Sequence, residues 1–230
     1  MDWSFIGQAT AQFFIDYVAV IIGAVTGALV AVDRDMDIVG TVAMGLVTGY
    51  GGGIIRDLLL QDQGLFFMEH PSLVIVATVA SIAVFFAKGV FHYLPATVFF
   101  ADTLSIAAYA LAGTGKAWDA GVGVILAILL GTITAVGGGA IRDVCTGEVP
   151  SIFRQSNFLA VASIAGAGAY VVLELAHAPI ILARICCFAT VVILRYVSVW
   201  FDLRTSAASE IRLPLPDAWK NKVKNKLTKE

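Results

Sequence analysis

Gly51-Gly52-Gly53-Ile54-Ile55-Arg56-Asp57 and Gly137-Gly138-Gly139-Ala140-Ile141-Arg142-Asp143 stand 86 residues apart, each inside a long apolar run. The same offset pairs Asp16 with Asp102, Ala24 with Ala110, Gly27 with Gly113, Ala31 with Ala117, Asp33 with Asp119, Gly45 with Gly131 and Thr48 with Thr134. The register continues without a gap, so the chain carries an internal duplication. Each copy contains three apolar runs, an odd number. The second copy must then enter a bilayer from the opposite side, which makes an inverted-topology repeat.

Glycine destabilises a helix interior by about 0.8–1 kcal/mol relative to alanine. Three in a row therefore suggest a helix broken or kinked at Gly51, Gly52 and Gly53, and again at Gly137, Gly138 and Gly139. Backbone groups freed by a break cannot face lipid and must line a cavity or be buried in protein. The competing reading is close helix approach through small residues, which Gly23 with Gly27 and Gly45 with Gly49 fit well. The Arg-Asp pair one turn later favours the break, because a packing motif needs no charges. Thr48 and Thr134 precede the glycines and offer hydroxyls to a path, or simply bond their own helix backbone.

Of the 230 residues, 59% are apolar and 14% charged, against roughly 25% charged in an ordinary soluble domain. Apolar segments near the roughly 20-residue spanning length fall at 12–32, 38–58, 72–91, 97–116, 121–144, 157–176 and 179–200. The expected fold is an all-α integral membrane protein with seven transmembrane helices in a single domain over 1–202. Repeat 1 occupies 12–92, repeat 2 occupies 97–177, and the seventh helix, 179–200, packs outside the duplication. Seven of the fifteen Lys and Arg lie in the tail over 203–230. Basic residues mark the cytoplasmic side, so the C-terminus is expected in the cytoplasm and the N-terminus outside, with Trp3 and Trp200 as interfacial anchors. No basic segment precedes the first apolar run, so no cleaved signal peptide is expected.

An ionisable group inside a span costs roughly 2.5–3.5 kcal/mol on insertion scales and faces a bundle interior or water. Asp16, Arg56, Asp57, Asp102, Arg142 and Asp143 are such groups. The topology places Asp16 and Arg56 at similar depth in the outer half and Asp102 and Arg142 in the inner half. Two repeat-related sets of acid and arginine should then flank a central constriction. The alternative role is structural, with each arginine ending its helix and pairing with a neighbouring aspartate to hold a loop.

Other signals fall away. Gly113-Thr114-Gly115-Lys116-Ala117 lacks the Ser or Thr after Lys that a phosphate loop requires. His70, His92 and His177 lie in three separate joints without ligand spacing, so no metal site is expected. Cys145, Cys186 and Cys187 read as packing residues. No nucleophile arrangement appears, so the chain is not expected to be an enzyme or to need a cofactor. A basic tail on so apolar a chain reads as lipid-facing rather than nucleic-acid-binding.

The doubled Gly-Gly-Gly-x-x-Arg-Asp motif, the acids Asp16 and Asp102 opening spans 1 and 4, and Pro71 and Pro150 downstream resemble the prokaryotic trimeric intracellular cation channels over residues 12–200. The resemblance implies a homotrimer in the prokaryotic inner membrane. Each protomer would hold a potassium-permeable pore lined by helices 1, 2, 4 and 5 and kinked at the glycines. Permeant potassium or sodium ions and bound lipid would be its only small partners. The same family is also described as glycine transporters, so a carrier of a small amino acid such as glycine stands as the alternative.

Overall fold

The computed structural model describes residues 3–61, 64–87, 95–154 and 158–203. The Trp3 side chain, the joint holding Lys88 and His92, and the basic tail from Arg204 onward lie outside the described residues. Eight helices and one 3-10 turn are described: α1 (Trp3–Asp33), α2 (Ile38–Leu60), α3 (Phe66–Glu69), α4 (Pro71–Phe86), α5 (Pro95–Asp119), α6 (Val124–Cys145), the 3-10 turn Ser151–Phe153, α7 (Leu159–Leu175) and α8 (Ile180–Trp200). Local chemistry sets several boundaries. Asp37 caps α2 by accepting from the Gly40 amide at 2.7 Å, and Pro71 takes the first position of α4, where its missing N–H has no helical partner anyway.

α1, α2 and α4 pack on one another, as do α5, α6 and α7. The two groups meet where α2 crosses α6 and α1 crosses α5, while α8 lies on α5 and α7. Small residues permit these crossings. Ala19, Ala24, Ala28 and Ala31 on α1 and Ala107, Ala110, Ala112 and Ala117 on α5 are wholly buried. Outward lies a surface of large apolar side chains, among them Phe14, Val39, Ile75, Phe86, Ile125, Val172, Ile185 and Trp200. Such a surface suits lipid, not water.

Among the described residues, five helices are long and apolar enough to cross a membrane: 11–33, 38–60, 96–119, 124–145 and 180–200. The segments expected at 72–91 and 157–176 correspond to the shorter apolar helices Pro71–Phe86 and Leu159–Leu175. Lys116, the last residue of the expected span 97–116, and Asp119 beyond it both belong to the last turn of α5.

The broken helix needs correction. α2 runs as uninterrupted α-helix through Gly51, Gly52 and Gly53, and α6 does the same through Gly137, Gly138 and Gly139. These glycines instead sit where α2 and α6 touch backbone to backbone. A β-carbon on Gly52 would lie 2.1 Å from the Thr134 carbonyl oxygen, and one on Gly138 would lie 2.3 Å from the Thr48 carbonyl oxygen. The contact is reciprocal across the two copies. Without a Cβ in the way, the helices approach closely while both stay α-helical through the glycines, so the packing reading prevails over the break.

Candidate functional site

Two buried ion-pair constellations flank the α2–α6 crossing. In the first, the Arg56 guanidinium donates from Nη1 to Asp16 Oδ1 at 2.7 Å and from Nε to Asp57 Oδ1 at 2.8 Å. Arg56 is 1% exposed. A cation that deep is tolerable only with full pairing, because burying an unpartnered ion costs several kcal/mol. The Asp57 carboxylate also accepts from Lys116 Nζ at 2.9 Å and, through Oδ2, from the Phe66 amide at 3.0 Å. It thus holds the start of α3 beneath the end of α2. Gln12 supports Asp16 from one turn earlier on α1, donating to Oδ2 at 3.3 Å and to the Ala112 carbonyl at 3.0 Å.

The second constellation repeats the first on the other copy. Arg142 Nη1 donates to Asp102 Oδ1 at 3.2 Å, and Nη2 and Nε donate to Asp143 Oδ1 at 3.0 and 3.1 Å. Asp143 Oδ2 accepts from both the amide and the hydroxyl of Ser151 at 2.8 Å. Gly147, at φ 74°, lets the chain turn back so that the Glu148 amide meets the Asp143 carbonyl at 2.9 Å. That left-handed turn closes the end of α6 and brings Ser151 under Asp143. The extra cation here is Arg195 of α8, which donates from Nη2 to Asp102 Oδ2 at 3.2 Å and lies 4.9 Å from the Phe99 ring centre.

Each constellation thus holds two carboxylates and two cations. In each, an arginine pairs with the acid of a neighbouring helix and with its own following aspartate, which in turn holds a loop. The conducting and structural readings of these charges therefore fall on the same atoms. The second set is the wetter one, the Asp102 side chain being 18% exposed against 6% for Asp16.

A narrow seam runs between the sets. On the Arg56 side a cavity of about 10 Å³ is lined by Asp16, Gly49, Gly53, Arg56, Asp57 and Tyr109. On the Arg142 side one of about 20 Å³ is lined by Thr48, Asp102, Ser105, Tyr109, Arg142 and Ser151. Each has room for about one water. Thr48 and Thr134 direct their hydroxyl protons to the Met44 and Leu130 carbonyls of their own helices at 2.8 and 2.6 Å. Gly53 and Gly139 meet only the terminal atoms of Arg56 and Arg142, at 4.0 and 3.6 Å from an added β-carbon.

At the end of the bundle where α1 turns into α2, Arg34 pairs with Glu148, and Arg154 Nη2 meets the same carboxylate at 2.7 Å. Hydrogen bonds first from Arg34 and then from Arg154 hold the Glu148 carboxyl below its ordinary range.

Lys116, Arg195, Tyr109, Gln12 and Ser151 are absent from the sequence-derived site. Arg195 was legible in principle, as a charge inside an apolar span. Lys116 was hidden by its place at the very end of the expected span 97–116, and by the repeat itself, whose first copy has Val30 there.

Comparison with known proteins places this geometry among relatives. A family model described as glycine transporter matches residues 13–89 and 99–174, two segments whose starts share the 86-residue offset of the internal repeat. The chain is 34% identical over 155 residues to the inner membrane protein YadS of Escherichia coli K12, covering 67% of this chain and 75% of that protein. Among solved structures it is similar to the trimeric intracellular cation channel orthologue from Rhodobacter sphaeroides, with a TM-score of 0.79 and 34% identity over 84% of this chain and all of the other. A TRIC cation channel whose structure was solved to explain conductance gives a TM-score of 0.76 at 30% identity, over 88% and 98% of the two chains.

Proposed function

Because this chain is a multi-pass membrane protein belonging to the trimeric intracellular cation channel family, whose family model carries the description glycine transporter, we propose that it is a homotrimeric, potassium-permeable channel with a pore inside each protomer. The pore runs between the two constellations, lined by α1, α2, α5 and α6, the first, second, fourth and fifth spans. The observation that carries this reading is the seam itself. Two sets of buried carboxylates, at Asp16 with Asp57 and Asp102 with Asp143, each border a small cavity, and the two cavities are walled by glycine backbone, the Gly49 carbonyl and hydroxyls. Carboxylates attract cations to a mouth, while hydroxyl and carbonyl oxygens replace part of a permeant ion's water.

The reciprocal contacts of Gly52 with Thr134 and Gly138 with Thr48 support a pseudo-two-fold relation in the membrane plane, as inverted repeats require. With the N-terminus outside and the C-terminus cytoplasmic, Arg56 faces the outer mouth and Arg142 the inner. Both cavities in this conformation are too small for a hydrated ion, so the structure is read as a shut state.

Purified protein in planar bilayers under a potassium gradient tests the reading. Discrete unitary currents reversing at the potassium potential are expected. Saturable glycine exchange without such currents would establish the carrier instead.

A further inference from the structure

The two copies differ at several positions along the seam, and one of these differences sets a bulky ring against a glycine. Where the second copy has Tyr109 on α5, the first has Gly23 on α1. The structure shows why the two residues differ. A β-carbon on Gly23 would lie 2.8 Å from the Tyr109 hydroxyl oxygen, 2.9 Å from its ring and 3.0 Å from the Gly49 Cα. The tyrosine ring thus fills the notch that Gly23 and Gly49 leave between α1 and α2. A larger residue at position 23 would evict it. Its hydroxyl donates to the Gly49 carbonyl, on the turn of α2 just before the triple glycine.

Tyr109 is 4% exposed and lines both cavities, the one holding Asp16 and Arg56 and the one holding Asp102 and Arg142. The geometry points to Tyr109 as a single movable plug: the ring separates the two constellations, its bond to the Gly49 carbonyl latches it, and swinging off that carbonyl joins the cavities. This inference rests on the channel reading and adds the residue that closes the path. One plug suffices because the repeat-related position is glycine. The obstruction is thereby asymmetric, although the mouths on either side are alike. The latch needs only a side-chain rotation, since Gly49 lies within unbroken α2 helix and loses no helical hydrogen bond when the phenol leaves.

The test compares potassium flux into proteoliposomes of the full chain with that of Tyr109→Phe, Tyr109→Trp and Tyr109→Gly, together with reaction of a cationic methanethiosulfonate at Thr48→Cys, added from each side in turn and read by mass. Tyr109→Phe should raise flux by up to about tenfold, the population shift that one ordinary hydrogen bond sustains. Tyr109→Trp should lower it, and Tyr109→Gly should conduct most. In the Tyr109→Gly background the Thr48→Cys thiol should react from the Asp16 side, whereas with Tyr109 present it should not.

A monodisperse Tyr109→Gly protein with wild-type flux and wild-type labelling overturns the plug. Should Tyr109→Gly fail to fold, equal flux in Tyr109→Phe and Tyr109→Trp overturns it just as well. If no variant passes potassium while glycine exchanges, the channel reading fails, and the labelling still decides whether Tyr109 divides the seam.

Discussion

Replacing Gly52 with alanine isolates what the triple glycine does. Its β-carbon would sit 2.1 Å from the Thr134 carbonyl oxygen and 3.1 Å from the carbonyl carbon, where ordinary contact begins at 3.4 Å. The obstructing atoms are backbone, so no rotamer change relieves them. α2 and α6 would have to part by roughly 1 Å, an overpacking that costs about 1–3 kcal/mol. Gly53→Ala is the matched control, because its β-carbon would meet nothing closer than an Arg56 guanidinium nitrogen at 4.0 Å. Both substitutions gain the same intrinsic helix preference, about 0.8–1 kcal/mol, so that contribution cancels in the comparison. The difference left is the clash. At roughly 2–4 °C per kcal/mol for a chain of this size, Gly52→Ala should lose its monodisperse peak about 2–12 °C below Gly53→Ala when heated in detergent and run on size exclusion. Gly138→Ala against Gly139→Ala should behave alike. Equal midpoints, or a more stable Gly52→Ala, would refute the backbone crossing. On the sequence alone, a bulkier residue at Gly52 or Gly138 should impair conduction more than assembly. The observed contact moves the first damage to the fold.

Other perturbations follow from the charges. Arg56→Met strands Asp16 and Asp57 beside one remaining cation and should cost about 3–5 kcal/mol, seen as loss of folded protein on size exclusion; a wild-type yield and midpoint would contradict the pairing. Lys116→Gln removes the ammonium that lies 2.9 Å from Asp57 and should increase potassium flux by leaving a net negative mouth, whereas reduced flux from a folded variant would show that the lysine aids conduction. Glu148 has a folded-state pKa below the unfolded one, so its tie to Arg34 and Arg154 holds above the ordinary glutamate range and weakens as pH falls through the depressed value. A Glu148 carboxyl resonance should titrate below free glutamate and move up in Arg34→Ala; an unshifted midpoint would mean that the clasp does not form in solution.

Composition and the 86-residue offset determined a great deal by themselves. Apolar length sets where helices lie, because a lipid-spanning backbone must satisfy its own hydrogen bonds. A duplicated sequence brings duplicated local structure, so Asp16 with Arg56 and Asp102 with Arg142 could be paired on paper before any distance was known. Tertiary structure decided everything that depends on what lies across a helix interface. A glycine run reads alike whether it unwinds a helix or admits a neighbour, and only the Thr134 carbonyl above Gly52 distinguishes the two. Lys116 and Arg195 join the constellations from helices outside the copy they complete, which no periodicity within a repeat encodes. Tyr109 stands against Gly23 because one ring fills one notch, and a repeat alignment records that pair simply as a mismatch. Local patterns specify elements through backbone chemistry, whereas the contents of a shared interior depend on which side chain arrives from the opposite helix.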